Sequence, residues 1–297
     1  MDADLVATLI CHPGSGALDM AAAEEGRRAV GGLALYALAD GVAYDIPLPA
    51  QAQRDAARTT LREHFSDAPV DIAVQTFPTR RKKLLIADMD STIIEQECID
   101  ELADLAGVGE RVADITARAM RGELAFEPAM GERLSLLAGL PAAMIERTLK
   151  ERITIRSGAR ELVSTMRANG AYCALVSGGF TSFTGAIAAA VGFDMHRANV
   201  LEMSEGRLTG GIEGAILGRE AKARTLHELI AARGLEAAET LAVGDGANDL
   251  DMLLAAGTGV ALHAKPIVAR QADIRIDHGD LTALLYLQGY RRADFAA

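Results

Sequence analysis

Two aspartates stand two residues apart, Asp88 and Asp90, after the apolar run Leu84-Leu85-Ile86-Ala87 and before the hydroxyls of Ser91 and Thr92. On an extended backbone such a pair projects to the same side and sets like charges close together. A third acid, Asp245, follows another apolar run inside Gly244-Asp245-Gly246-Ala247-Asn248-Asp249. Carboxylates gathered in this way are hard oxygen ligands, and a divalent cation compensates them. Mg²⁺ suits a site of few carboxylates plus water and phosphate. Lys222 offers further positive charge. Backbone amides after Ser177, in Ser177-Gly178-Gly179, and the hydroxyls of Ser91 or Thr92 can donate to phosphate oxygens. These parts suit phosphoryl transfer. Taken singly each has a plainer reading, since a strand-end Asp caps helices, a Gly pair turns the chain and a lysine is solvated. Their conjunction carries the argument.

Groups so far apart in sequence meet only if strand ends converge. Short apolar runs without alternation occur at residues 84–87, 171–176, 240–243 and 259–262, with a weaker fifth at 273–276. Such runs suit strands buried on both faces of a parallel sheet. Helical spacing at 182–191, 220–233 and 248–256 completes an α/β, Rossmann-like, doubly wound pattern, whose ligands bind beyond the carboxyl ends of the strands. About 80 residues separate the first two strands, far more than one crossover helix needs. Helical spacing at 97–106, 108–121, 130–138 and 142–149 predicts an inserted helical cap over about 95–155, placed to act as a lid. A hairpin is expected where 200–203 and 207–209 flank Ser204-Glu205-Gly206.

Residues 1–78 read as a separate small α+β domain, with apolar stretches at 5–10 and 33–38, helical spacing over 50–65 and alternation at Val70, Ile72 and Val74. Pro78-Thr79 marks the boundary, leaving 79–297 as the second domain. The basic run Arg80-Arg81-Lys82-Lys83 reads as a solvated strand entrance. Across 297 residues the net charge is −11, which argues against a nucleic-acid partner. Three widely spaced cysteines without a CxxC pair suit a reducing cytoplasm, and the six histidines form no metal spacing. There is no Walker A sequence, and Asp249 spoils the dinucleotide fingerprint. No apolar run is long enough to span a membrane, and acids stand where a signal peptide would carry base. A soluble, cytoplasmic protein with no membrane partner is expected.

In the order Asp88-Met89-Asp90-Ser91-Thr92, Ser177-Gly178-Gly179, Lys222 and Gly244-Asp245-Gly246-Ala247-Asn248-Asp249, the sequence resembles the haloacid dehalogenase superfamily of phosphatases. It is similar above all to the branch acting on phosphoserine, through Glu97-Cys98-Ile99-Asp100-Glu101-Leu102-Ala103, Met120-Arg121-Gly122, Phe126 and Glu132-Arg133-Leu134-Ser135-Leu136-Leu137. The resemblance spans about residues 84–287. It does not reach the first 78, where bacterial relatives often carry an ACT-like regulatory or dimerising domain.

The resemblance implies that Asp88 is the nucleophile and Asp90 the general acid and base, with Lys222 beside them. It implies Mg²⁺ held by Asp88, Asp245 and the main-chain carbonyl of Asp90, and Asp249 orienting Lys222 or a metal-bound water. Ser177, Gly178 and Asn248 would contact phosphate, with Thr92 in support. Crowding against Asp88 and partial desolvation would raise the pKa of Asp90. Substrate choice would lie in the cap: Glu97 for the ammonium of O-phospho-L-serine, Arg133 for its carboxylate, Met120 and Phe126 as an apolar wall. The implied reaction is Mg²⁺-dependent hydrolysis of phosphoserine to serine and phosphate, the last step of serine biosynthesis. Two other readings stay open: a phosphatase or phosphotransferase for another small phosphomonoester, and an amino-acid-sensing scaffold with a vestigial core. Intact Asp88, Asp90 and Lys222 weigh against the latter. For residues 1–78, effector binding, a homodimer contact and simple packing are all open.

Overall fold

A computed structural model describes residues 4–120 and 123–296, without the side chains of Met120 and Phe126, and within it the strands form two sheets. The first is built from β1 (Leu5–Cys11), α1 (Met20–Ala29), β2 (Tyr36–Ala39), β3 (Ala43–Pro47), α2 (Arg54–His64) and β4 (Val70–Thr76). Its order β2-β3-β1-β4 is antiparallel throughout, the βαββαβ connectivity of ferredoxin-like units. Leu9, Ile46, Leu61 and Phe65 pack its core. Two of these elements escape the sequence pattern. Helix α1 is an Ala, Glu and Arg segment with no apolar stripe, started by the Asp19 side chain accepting from Ala22 N at 2.8 Å. Strand β3 follows β2 through a tight turn at Gly41, whose φ is +71°.

The second sheet begins at β5 (Leu84–Ala87). A helical insert follows, made of α3 (Cys98–Leu105), α4 (Gly109–Met120), α5 (Phe126–Ser135) and α6 (Ala143–Glu151). After α7 (Ala159–Ala168) come β6 (Tyr172–Phe180), α8 (Thr181–Val191) and the hairpin β7 (Met195–Ser204) with β8 (Arg207–Glu213). Then α9 (Arg219–Arg233), β9 (Thr240–Gly244), α10 (Leu250–Ala255), β10 (Thr258–Leu262), α11 (Pro266–Ala269), β11 (Ile274–Ile276) and α12 (Ala283–Leu287) complete the unit. The order β11-β10-β9-β5-β6-β7-β8 is parallel except for β8, so the expected hairpin supplies the sheet's edge.

Strand β5 is central and wholly buried. Leu84 and Ile86 pack into one face with Leu226 and Leu253, while Leu85 and Ala87 pack into the other with Leu175 and Val243. Burial on both faces is why its sequence lacks alternation. Ala87 pairs with Leu175 on one side and Val243 on the other. The residues just beyond, Asp88, Ser177 and Asp245, therefore emerge at nearly one level, at the switch point where a doubly wound sheet binds ligands.

The basic run is a solvated entrance only in part, which corrects the expectation for Arg80 and Lys82. Arg80 Nη1 meets Asp45 Oδ2 at 2.6 Å, Arg81 lies over the Tyr290 ring, and Lys82 is only 7% exposed. Only Arg81 and Lys83 are largely open to solvent, and Lys83 pairs with Glu239. The first sheet packs on the second here, closing over the run. Asp71 of β4 accepts from the amides of Asp277 and Gly279, each at 2.7 Å, and Gln75 donates to Leu287 O.

Candidate active site

Asp88 extends the ladder by one residue, its N–H donating to Val243 O at 3.0 Å, which fixes where its side chain starts. Oδ1 of Asp88 lies 2.6 Å from Lys222 Nζ, and the same ammonium donates to Asp249 Oδ1 at 2.6 Å. Lys222 sits in the first turn of α9 and is 1% exposed, so it is held by these two acids rather than by water. The other oxygen of Asp249 accepts from Gly246 N at 3.0 Å, closing the turn into α10. Asp245 accepts from Thr92 Oγ1 at 3.3 Å.

Asp88, Asp245 and Asp249 are all buried and offer oxygens within 4.8 Å of one another. One lysine among three carboxylates leaves the cluster short of positive charge. That deficit and the all-oxygen donor set fit a divalent cation. Asp249, expected to orient Lys222 or a metal-bound water, contacts that lysine and also belongs to this group.

The Asp90 carboxylate turns elsewhere. Oδ1 accepts from Cys98 N at 2.9 Å, at the start of α3, and Oδ2 accepts from Ser177 Oγ at 3.1 Å. Between the two aspartates and the cap the chain reverses at Ser91, whose φ is +55°. Arg156 holds this reversal by donating to the carbonyls of Ser91 and Thr92. Gly179 N donates to Ser177 Oγ at 2.8 Å, and a Cβ on Gly179 would stand 3.0 Å from Asp90 Oδ2. A Cβ on Gly244 would fall 2.5 Å from the Asp249 carboxyl. The glycines at these tips admit close approach of acids to backbone.

Burial raises the pKa of Asp88 well above the usual carboxylate value, and Asp249 adds to it while Lys222 opposes. Burial works against the Lys222 ammonium, but Asp249 and Asp88 outweigh it and the pKa is raised. Asp245 is lifted to about 6, by burial first and Asp249 second. Asp90 is raised by burial and then by Glu97, with the Cys98 amide and Ser177 opposing. The acid that crowds Asp90 most is thus Glu97, not Asp88 as the spacing suggested.

Of the cap residues, Glu97 is exposed at the start of α3 and accepts from Ser91 Oγ at 2.8 Å. Arg133 on α5 is half-buried; burial lowers its pKa, while Asp100 and Glu97 act the other way. It has no hydrogen bond to a strand-tip residue among the described residues, its Nε donating to Ala129 O. The parts of Met120 and Phe126 that would form the apolar wall lie outside the described residues. Gly178 O accepts from Asn199 Nδ2 at 2.8 Å, which anchors the Ser177-Gly178-Gly179 turn. Asn248 folds back so that a Cβ on Gly246 would meet its Oδ1.

Sequence reasoning missed Asn199 and Arg156, and also Lys265, whose Nζ lies 4.0 Å from Asp245 Oδ2. Lone polar residues on a strand or in a loop carry no spacing signal. Only the fourth strand end, His263-Ala264-Lys265, could have pointed to the last of them.

A switch-point cluster of buried carboxylates, one lysine and a second, separately held aspartate is the arrangement that aspartate-based phosphoryl transfer requires. The pattern of haloacid dehalogenase-like hydrolases matches residues 85–254. A phosphoserine phosphatase of Streptomyces coelicolor is 43% identical over 242 residues, covering 81% of this chain and 59% of its own length. The solved structure of a probable phosphoserine phosphatase from Vibrio cholerae superposes with a TM-score of 0.78 at 31% identity, over 99% of this chain and 88% of that one. A phosphoserine phosphatase solved as a phospho-aspartyl intermediate analogue is 42% identical, with a TM-score of 0.65, over 69% of this chain and 98% of its own. The chain belongs to the haloacid dehalogenase-like hydrolases and, within them, to the phosphoserine phosphatase family.

Proposed function

We propose that the chain hydrolyses O-phospho-L-serine to L-serine and phosphate through a covalent phosphate on Asp88, with Mg²⁺ as its metal. The observation that carries this reading is the division of labour between the aspartates. Asp88 contacts Lys222, while Asp90 is held apart by Ser177 and the Cys98 amide.

Asp88, Asp245 and the Asp90 carbonyl would hold Mg²⁺, with Asp249 beside them; the ion supplies positive charge that lets two anions approach. The Asp88 carboxylate attacks phosphorus while the serine oxygen leaves with the proton of Asp90. Lys222 stabilises negative charge on the phosphoryl oxygens, and Ser177, the Gly178 backbone and Asn248 orient them. Water then attacks phosphorus as Asp90 takes its proton, which frees phosphate and restores Asp88. Thr92 steadies Asp245 through its hydroxyl. In the cap, Glu97 receives the ammonium and Arg133 the carboxylate, while Met120 and Phe126 wall the site from water.

Residues 1–78 form, in this reading, an ACT-like domain that pairs two subunits, and the βαββαβ connectivity supports it. No helix among the described residues is long and apolar enough to cross a membrane, which agrees with a cytoplasmic enzyme.

The test is phosphate release from a panel of phosphomonoesters with and without Mg²⁺. Preference for phosphoserine is expected, and preference for sugar phosphates would reject the substrate. Sizing chromatography of the intact chain tests the dimer.

A further inference from the structure

A polar cavity of about 90 Å³ lies where the two sheets meet. Arg54 and Arg58 of α2 form one wall, and Lys82 with Thr258 and Asp273 forms the other. Thr258 begins β10 and Asp273 precedes β11, so the cavity lies at the opposite end of the parallel sheet from Asp88 and Asp245. It is no part of the phosphoryl-transfer site.

Its cations are unevenly compensated. Arg80, also in the lining, is matched by Asp45, and Arg58 by Asp55 at 2.7 Å. Among the described residues Arg54 donates to a neutral hydroxyl alone, Thr76 Oγ1, at 3.0 Å. Lys82 is the more unusual. It is 7% exposed, yet among the described residues its ammonium has one hydrogen-bond acceptor, the carbonyl of Ala238 at 2.7 Å. Lys82 itself lines the cavity, and the segment that holds its acceptor packs against Gly257, another lining residue.

An ammonium has three donors, and burying it with a single neutral partner is costly unless an anion joins it. Burial pushes the Lys82 pKa down to about 8, with Asp273 opposing. Among the described residues Asp273 is the one acid in the lining, and it is exposed. In a chain of net charge −11, so local a surplus of cations is a specific feature.

We propose that this cavity binds a small oxyanion, a carboxylate or phosphate group, between Lys82 and Arg54. Its volume has room for a group the size of free phosphate or a carboxylate. Because α2 belongs to the first sheet and Lys82 leads into the second, a bound anion ties the two together and favours their docked arrangement. The proposal is independent of the reaction assigned to Asp88.

The test is calorimetric titration of the full chain, at constant ionic strength in chloride, with inorganic phosphate in one arm and L-serine in the other. The parent and Arg54→Ala are compared, together with Lys82→Gln where it folds. Arg54 is exposed and distant from the strand tips, so its variant keeps fold and turnover. A binding event present in the parent and weakened about tenfold or more in Arg54→Ala is expected, the effect of losing a charge-assisted contact. Phosphate binding at the strand tips is the same in both proteins and cancels. If the lost event appears with phosphate alone the source is free phosphate; with L-serine it is an amino-acid carboxylate. Titrations unchanged by Arg54→Ala in both arms would overturn the proposal.

Discussion

Ser177 Oγ donates to Asp90 Oδ2 at 3.1 Å while accepting from Gly179 N at 2.8 Å. One hydroxyl thereby ties the second strand tip to the aspartate of the first and leaves Asp88 free to face Lys222. Different tasks for the two acids follow from this arrangement.

Asp88→Asn removes the proposed nucleophile, and phosphate release is expected to fall by about 10⁴-fold or more. Asp90→Asn removes a proton carrier, and the expected loss is about 10²–10⁴-fold. Near-parent turnover by either variant, measured as free phosphate, would contradict the assigned roles.

In the proposed reaction the acid form of Asp90 protonates the leaving oxygen, so kcat is expected to fall as pH rises through its pKa. Burial and Glu97 raise that pKa. Glu97→Gln removes a neighbouring negative charge, so the alkaline fall moves to lower pH. The profile is taken with a simple alkyl phosphate, which has no ammonium for Glu97 to bind. An unmoved or upward-shifted limb would count against the Glu97–Asp90 coupling.

Arg133→Ala is expected to raise KM for phosphoserine by about 10- to 100-fold, the worth of a charge-assisted hydrogen bond. Turnover of an aryl phosphate without a carboxylate stays near the parent value. Equal losses on both substrates would exclude a carboxylate clamp.

Gly244→Ala places a Cβ 2.5 Å from the Asp249 carboxyl, which must then shift away from Lys222. A stability loss of about 1–3 kcal/mol by denaturant melting is expected, together with reduced turnover. An alanine variant as stable and active as the parent would show that Asp249 has room to move.

Chelation is expected to stop phosphate release and Mg²⁺ to restore it. In Asp245→Asn the Mg²⁺ concentration for half-maximal activity rises by at least about tenfold, since even outer-shell losses at metal sites cost that much. Activity indifferent to chelator would remove the metal from the reading.

Much of the second sheet was legible in sequence because its strands are buried on both faces. Leu84–Ala87 has the bounds its apolar run suggests, and the four helices of the insert fall close to their expected spans. Helices α1, α7, α11 and α12 and strand β3 were not seen. Helix α1 is alanine-rich without a stripe, and β3 depends on a pairing partner. Within the site, residue types at strand tips pointed to Asp88, Asp90 and Asp245. Arg156 and Asn199 act through backbone carbonyls of distant segments and leave no local trace.

What the sequence alone determined was the set of acids at strand ends and the α/β rhythm that presents them, because both follow from residue type and short-range periodicity. Tertiary structure decided which charges meet. It set Lys222 between Asp88 and Asp249, made Glu97 the acid that crowds Asp90, and buried Lys82 under a second sheet. Such pairings depend on strand order and on how the two sheets dock, and the cost of burying a charge is fixed only once its distant neighbours are in place.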